Sequence, residues 1–125
     1  MKILIVEDNP TDLKLSEQVL SEAGHQIISA ELAEQSFAKI KRTKPDLILM
    51  DLNLPGMTGL KLAKMLRDDK ETMDVPIIAI SAYVERFSRA AVTAAGCDGY
   101  LAKPLNTRTL AHQLEAIALK KPRTA

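Results

Sequence analysis

The sequence predicts an α/β fold of (βα)5 type, a parallel five-stranded sheet held between two layers of helices. Three observations predict it. Short apolar runs with no polar interruption, Ile3-Leu4-Ile5-Val6, Leu47-Ile48-Leu49-Met50 and Ile77-Ile78-Ala79-Ile80, read as strands buried on both faces. Helical periodicity fills the intervals between them. The two patterns alternate five times within 125 residues, and such alternation with short connections implies right-handed crossovers and a three-layer sandwich.

The elements follow in order. After the first strand, Leu13, Leu20 and Ala23 share a face of a helix that Asn9 or Thr11 can cap and Gly24 can end. Gln26 to Ala30 is a weaker strand, placed near a sheet edge. Ala33, Phe37 and Ile40 fall at helical spacing in the second helix. The third strand runs into Asp51, and the turn Asn53-Leu54-Pro55-Gly56 follows, with Pro fixing one dihedral and Gly permitting a positive φ. Thr58 can cap a third helix carrying Leu60, Ala63 and Leu66. The fourth strand ends at Ser81, and a fourth helix is expected from about Val84 to Ala95, closed by Gly96. Gly99 to Ala102 is a second weak strand. Leu110, Leu114, Ile117 and Ala118 line the fifth helix, with Asn106 or Thr107 as its cap. Five strands suit the flavodoxin-like order 2-1-3-4-5, in which ligands sit at the carboxyl ends of the strands, near the switch point between the first and third.

Composition narrows the class. Apolar residues make up 46%, charged residues 26% and aromatics only 3%, so aliphatic and alanine packing must form the core of an ordinary globular chain. Seventeen basic against sixteen acidic residues leave a formal charge of +1, which gives no electrostatic footprint for nucleic acid or an anionic membrane. The basic residues Lys120, Lys121 and Arg123 read as a solvated chain end. Cys97 is the one cysteine, which excludes an intrachain disulfide and suits a reducing compartment. No apolar run has membrane-spanning length and no leader pattern opens the chain, so a cytoplasmic protein is expected. One domain over residues 1–125, without an output domain, is the expected organisation.

The chemistry collects where the strands end. Glu7 and Asp8 follow the first strand, Asp51 ends the third, Ser81 ends the fourth, and Lys103-Pro104 follows the fifth. In a doubly wound sheet these ends share one edge. Taken singly, each residue has a structural reading: an acidic pair leading into a helix, a turn-forming Asp, a capping Ser, a solvated Lys. Their joint placement at four strand ends outweighs those readings. Three adjacent carboxylates repel unless a cation intervenes, and an open oxygen site suits magnesium, Mg2+, beside a phosphate oxygen. Lys103 supplies a second positive charge and Ser81 a hydroxyl, while an Asp carboxylate can act as nucleophile and form an aspartyl phosphate.

The segments ILIVEDN, PDLILMDLNLPGMTG, PIIAISA and GYLAKP resemble the receiver domain of bacterial response regulators, across essentially the whole chain. The resemblance implies two-component or phosphorelay signalling of the stand-alone, single-domain type. It makes Asp51 the phosphoacceptor, with Asp51, Lys103 and Ser81 as the catalytic set. It makes Asp8 and Asp51 direct magnesium ligands, with the Asn53 main-chain carbonyl as a third and Glu7 acting largely through water. Ser81, where threonine is commoner, and Tyr100 become the switching pair, and the Lys103-Pro104 bond is expected to be cis. Asn53 and Tyr83 occupy positions that tune phosphoryl hydrolysis in the family, and Tyr83 is bulky enough to shield the site from water.

A phosphohistidine on a histidine kinase or histidine phosphotransfer protein is the implied donor. Output is expected through protein contacts of the fourth helix, fifth strand and fifth helix, with no direct nucleic acid binding and no membrane partner. The chain then catalyses only its own phosphorylation and dephosphorylation, and is not otherwise an enzyme. A monomer is expected, with dimerisation on phosphorylation left open; Arg86, Arg89, Arg108 and Lys120 would either support it or solvate those faces. The alternatives are a phosphorylation-independent docking module, a receiver cut from a hybrid histidine kinase, and an Asp-nucleophile phosphatase. Asn53 stands where that last class carries a second Asp. A flavodoxin is disfavoured because the first loop carries carboxylates in place of a hydroxyl-rich phosphate cradle. His25 and His112 read as surface residues, Cys97 as a small packing residue and Phe87 as core.

Overall fold

In the computed structural model, which describes residues 1–120, five parallel strands pair in the order β2-β1-β3-β4-β5. They are β1 (Lys2–Val6), β2 (Gln26–Ala30), β3 (Leu47–Asp51), β4 (Ile77–Ser81) and β5 (Gly99–Ala102). The helices are α1 (Pro10–Glu22), α2 (Ala33–Thr43), α3 (Gly59–Arg67), α4 (Arg89–Ala94) and α5 (Leu110–Lys120). The expected order 2-1-3-4-5 is therefore observed, with the two weaker strands at the edges. Lys121 and Arg123 lie outside the described residues; Lys120 is exposed at the end of α5.

The strand pleat divides the core in two. Side chains alternate across a strand, so Ile3, Ile5, Leu47, Leu49, Ile78 and Ile80 meet Leu20 of α1 and Leu110 and Leu114 of α5. Leu4, Val6, Ile48, Met50, Ile77 and Ala79 face the other way. They meet Ala33 and Ile40 of α2, Leu62, Ala63 and Leu66 of α3, and Val92 of α4. Both layers are aliphatic, as the scarcity of aromatics requires.

Local chemistry sets most helix ends. Asn9 caps α1, its side chain accepting from the N–H groups of Thr11 and Asp12, and Pro10 takes the first helical position. Thr58 caps α3 by accepting from Lys61 N. Gly24 and Gly56 take φ of +93° and +78°, as a helix exit and a Pro-Gly turn need.

Four expectations are corrected. The fourth helix does not run from Val84. A short 3-10 turn covers Val84–Arg86, and α4 starts at Arg89 because Ser88 caps it through Ala91 N. The fifth helix starts only at Leu110: Asn106 holds a preceding turn, its side chain accepting from Arg108 N. Ala23 is exposed as the C-cap of α1, off the apolar face. His25 is nearly closed to water and partnered, with Nδ1 2.9 Å from the amino group of Met1 and Nε2 3.2 Å from Glu115 of α5. His112 is exposed, Phe87 is half-buried against the α2–α4 layer, and Cys97 is buried in that layer, as expected. Burial pushes the Cys97 thiol up to about 11.

Candidate functional site

Register brings the functional residues to one level. Val6 pairs with Met50, Asp51 with Ile80 and Ser81 with Ala102, so Glu7, Asp51, Ser81 and Lys103 all emerge at the carboxyl edge of the sheet. Each leaves its strand just as the hydrophobic run stops, which allows a polar group to sit against a dry core. Glu7 and Asp51 are only 1% and 4% exposed, and Ser81 is fully buried.

The pleat also sorts these groups by face. Asp51 continues the alternation of Leu47 and Leu49, and Glu7 that of Ile3 and Ile5, so both lie towards α1 and α5. Lys103 follows Leu101 onto the same side. Its ammonium donates to Glu7 Oε1 at 2.6 Å, to Asp51 Oδ2 at 2.9 Å and to Asp12 Oδ2 at 2.9 Å. An ammonium has three protons, and each of these contacts can use one. Ser81 follows Ile77 and Ala79 towards the opposite layer. There its Oγ accepts from Asn53 Nδ2 at 3.1 Å and from Tyr83 N at 2.9 Å.

Asn53 joins the two sides. Its backbone N–H donates to Asp51 Oδ1 at 2.8 Å while its side chain reaches Ser81. Both oxygens of Asp51 therefore have a donor. Gly59, the first residue of α3, packs directly beneath this loop. A Cβ built there would lie 2.7 Å from the Asp51 carbonyl oxygen and 2.9 Å from Leu52 Cα, so close backbone approach is what requires glycine.

Charge distribution follows from burial. Burial pushes the Glu7 carboxyl up, the hydrogen bond to Asp51 and the charge of Asp51 add to this, and Lys103 opposes; the result is about 7. Burial acts on Asp51 in the same sense, but hydrogen bonds from Glu7, Lys103 and the Asn53 N–H outweigh it and hold the group below the usual carboxylate value. Burial works against the Lys103 ammonium, yet its bonds to Glu7, Asp51 and Asp12 raise it above the ordinary lysine value. The bonds from Lys103 and the Asn53 N–H thus favour the ionised form of Asp51, whereas burial favours the protonated form of Glu7.

Glu7, Asp8 and Asp51 each offer a carboxylate oxygen, and these oxygens lie within 4.8 Å of one another. Asp8 is exposed at the mouth, whereas the other two are buried. A hard, oxygen-seeking divalent cation fits this donor set. Of the expected residues, the structure brings Glu7, Asp8, Asp51 and Lys103 into one cluster and places Asn53 and Ser81 beside it. Tyr100 is not joined to them: its half-buried hydroxyl donates to Phe87 O at 3.0 Å. Lys103-Pro104 is cis. Tyr83 is exposed, with the Arg86 guanidinium 4.5 Å above its ring. The residue that sequence reasoning missed is Asp12. An acid in a first helical turn is ordinarily assigned to the helix dipole, and only the tertiary placement of the first turn of α1 beside Lys103 reveals its bond.

Comparison with known proteins places this geometry among similar ones. Residues 3–115 match the family model described as the response regulator receiver domain. The chain is 38% identical over 115 residues to the phosphate regulon transcriptional regulatory protein PhoB of Pseudomonas aeruginosa, a match covering 92% of this chain and 50% of PhoB. The chain thus spans half the length of that relative. It is 33% identical over 104 residues to the polar-differentiation response regulator DivK of Brucella ovis, covering 83% of this chain and 85% of DivK. Among solved structures it resembles the receiver domain of a sensor histidine kinase from Pseudomonas aeruginosa, which holds a magnesium ion in its active-site cleft. That likeness has a TM-score of 0.86 and 32% identity, over 94% of this chain and 96% of that one. The chemotaxis response regulator CheY4 of Vibrio cholerae is similar at a TM-score of 0.85 and 28% identity, over 93% and 97% of the two chains.

Proposed function

The chain belongs to the response regulator receiver domain family of two-component signalling, and from that premise we propose that it accepts a phosphoryl group on Asp51 from a phosphohistidine of a histidine kinase or phosphotransfer protein. One observation carries the reading: the buried Asp51 carboxylate accepts from the Lys103 ammonium and stands beside the carboxyl groups of Glu7 and Asp8. An Asp oxygen attacks phosphorus, the phosphorus–nitrogen bond of the donor breaks, and the imidazole leaves with its electron pair. The Asn53 N–H and Lys103 orient Asp51 for that attack, and Lys103 and the Ser81 hydroxyl are the groups placed to hold phosphoryl oxygens afterwards. Glu7, Asp8, Asp51 and the Asn53 carbonyl are the residues that would hold magnesium, which supplies charge neutralisation for the phosphoryl group when bound.

The new charge then biases two packings of the region around Ser81 and Tyr100. The signal leaves through protein contacts of α4, β5 and α5. The chain acts on no substrate besides its own aspartate. Among the described residues no helix is long and apolar enough to cross a membrane.

The test is intact-protein mass spectrometry after incubation with acetyl phosphate and magnesium, alongside Asp51→Asn. One added phosphoryl group that requires magnesium and is absent in the variant supports the reading. No added mass, with the donor active on another receiver, would favour a phosphorylation-independent docking module.

A further inference from the structure

We propose that the Asn53 side chain is a latch that keeps the Ser81 hydroxyl away from the phosphoryl position until Asp51 is modified, making Asn53 a positioning residue for switching. The proposal rests on the reading of Asp51 as phosphoacceptor and Ser81 as phosphoryl ligand.

Ser81 Oγ is buried and has two acceptor sites, and two donors are bound to it: Asn53 Nδ2 at 3.1 Å and Tyr83 N at 2.9 Å. The two bonds differ in kind. Tyr83 lies two residues on from Ser81, so its bond is local to the segment that follows β4. Asn53 belongs to the loop after β3, so its bond spans two neighbouring strands. The pleat directs Ser81 towards the layer of α2, α3 and α4, the same layer against which Tyr100 packs, while Asp51 and Lys103 face α1 and α5. Turning Oγ across the sheet towards a phosphoryl group on Asp51 changes both bonds, and of the two only the Asn53 bond ties Ser81 to a neighbouring strand.

Asn53 is also anchored at its other end, because its backbone N–H rests on Asp51 Oδ1 at 2.8 Å. Adding a phosphoryl group to Asp51 changes the acceptor that holds this loop. One residue thus reads the acceptor through its main chain and restrains the switch through its side chain. Because the hydrogen bond is part-buried, losing it should shift the ratio of the two packings roughly three- to tenfold.

The experiment compares amide NMR spectra of wild type, Asn53→Ala, Ser81→Ala and the double variant, all unphosphorylated, with phosphorylated wild type as the end point. The latch predicts that Ser81, Tyr83 and Tyr100 signals of unphosphorylated Asn53→Ala move along the line from the unphosphorylated to the phosphorylated wild-type positions. It also predicts that Asn53→Ala adds no such movement when Ser81 is already Ala. Asn53→Leu, close in shape and without the donor, repeats the test if the Ala variant folds poorly. Signals that stay in place or leave that line would overturn the latch, even if the phosphoryl lifetime changes. Wild type that takes no phosphoryl group would overturn the underlying reading of Asp51, and the latch with it.

Discussion

Lys103 and Asp51, separated by 52 residues of sequence, form an ion pair of 2.9 Å in which both side chains are nearly closed to water. The same ammonium holds Glu7 at 2.6 Å, so one cation stands between two buried carboxyl groups. Replacing it leaves Asp51 without its bonded positive charge and, under the proposed function, removes a donor for the incoming phosphoryl group. Lys103→Met is expected to take phosphoryl from acetyl phosphate about 100-fold more slowly than wild type, by analogy with the loss of one oriented donor. Divalent-cation affinity should rise in the same variant, because a competing positive charge has gone. Mass-spectrometric time courses and calorimetric magnesium titration check the two outcomes separately.

Asp12 shares that ammonium from the first turn of α1, but its side chain is 41% exposed. Exposure limits its worth to stability, so Asp12→Asn should change the unfolding free energy by less than about 1 kcal/mol in urea titrations. Removing one negative charge beside the acidic cluster should nevertheless weaken magnesium binding roughly two- to fivefold, more at low salt than at high. Equal affinity at both ionic strengths would show that Asp12 does not contribute to the field of the site.

Gly59→Ala forces a methyl group against the backbone of Asp51 and Leu52, at 2.7 and 2.9 Å. Backbone cannot yield as a side-chain tip can, so the variant should lose about 2 kcal/mol in urea unfolding. It should also phosphorylate more slowly, because the displaced segment carries Asp51, the proposed acceptor. A variant with normal stability and rate would mean that the loop relaxes around the methyl group.

Cys97 packs in the α2–α4 layer, where burial pushes its thiol up to about 11. The thiolate is the reactive form, so iodoacetamide should label the native protein at pH 8 about 100-fold more slowly than the unfolded chain, before any further loss from restricted access. The native rate should climb about tenfold per pH unit above pH 8, while the protein stays folded, and level off only near pH 11. A plateau near pH 9 would show that the site is open to water.

Much of this molecule is written in local pattern. Runs such as Leu47 to Met50 identify strands because a parallel strand is covered on both faces and tolerates no polar side chain there. Asn9, Thr58 and Gly56 mark helix starts and a turn through their own backbone chemistry. Once the alternation gives a doubly wound sheet, the residues at or just past the strand ends, Glu7, Asp8, Asp51, Ser81 and Lys103, are fixed as neighbours. That is why the candidate site was legible without coordinates. Local signals misplaced the starts of two helices, α4 at Val84 where Ser88 caps it and α5 at Asn106 where Leu110 begins it.

Packing alone decided the rest. Strand register and pleat place Asp51 and Lys103 on one face of the sheet and Ser81 on the other, where its hydroxyl accepts from the Asn53 side chain. The seating of α1 brings Asp12 to Lys103, and that of α5 brings Glu115 to His25. None of these relationships has a period or spacing along the chain. Each depends on where separate elements come to rest, and that is set by the burial of two aliphatic layers acting over the whole sheet.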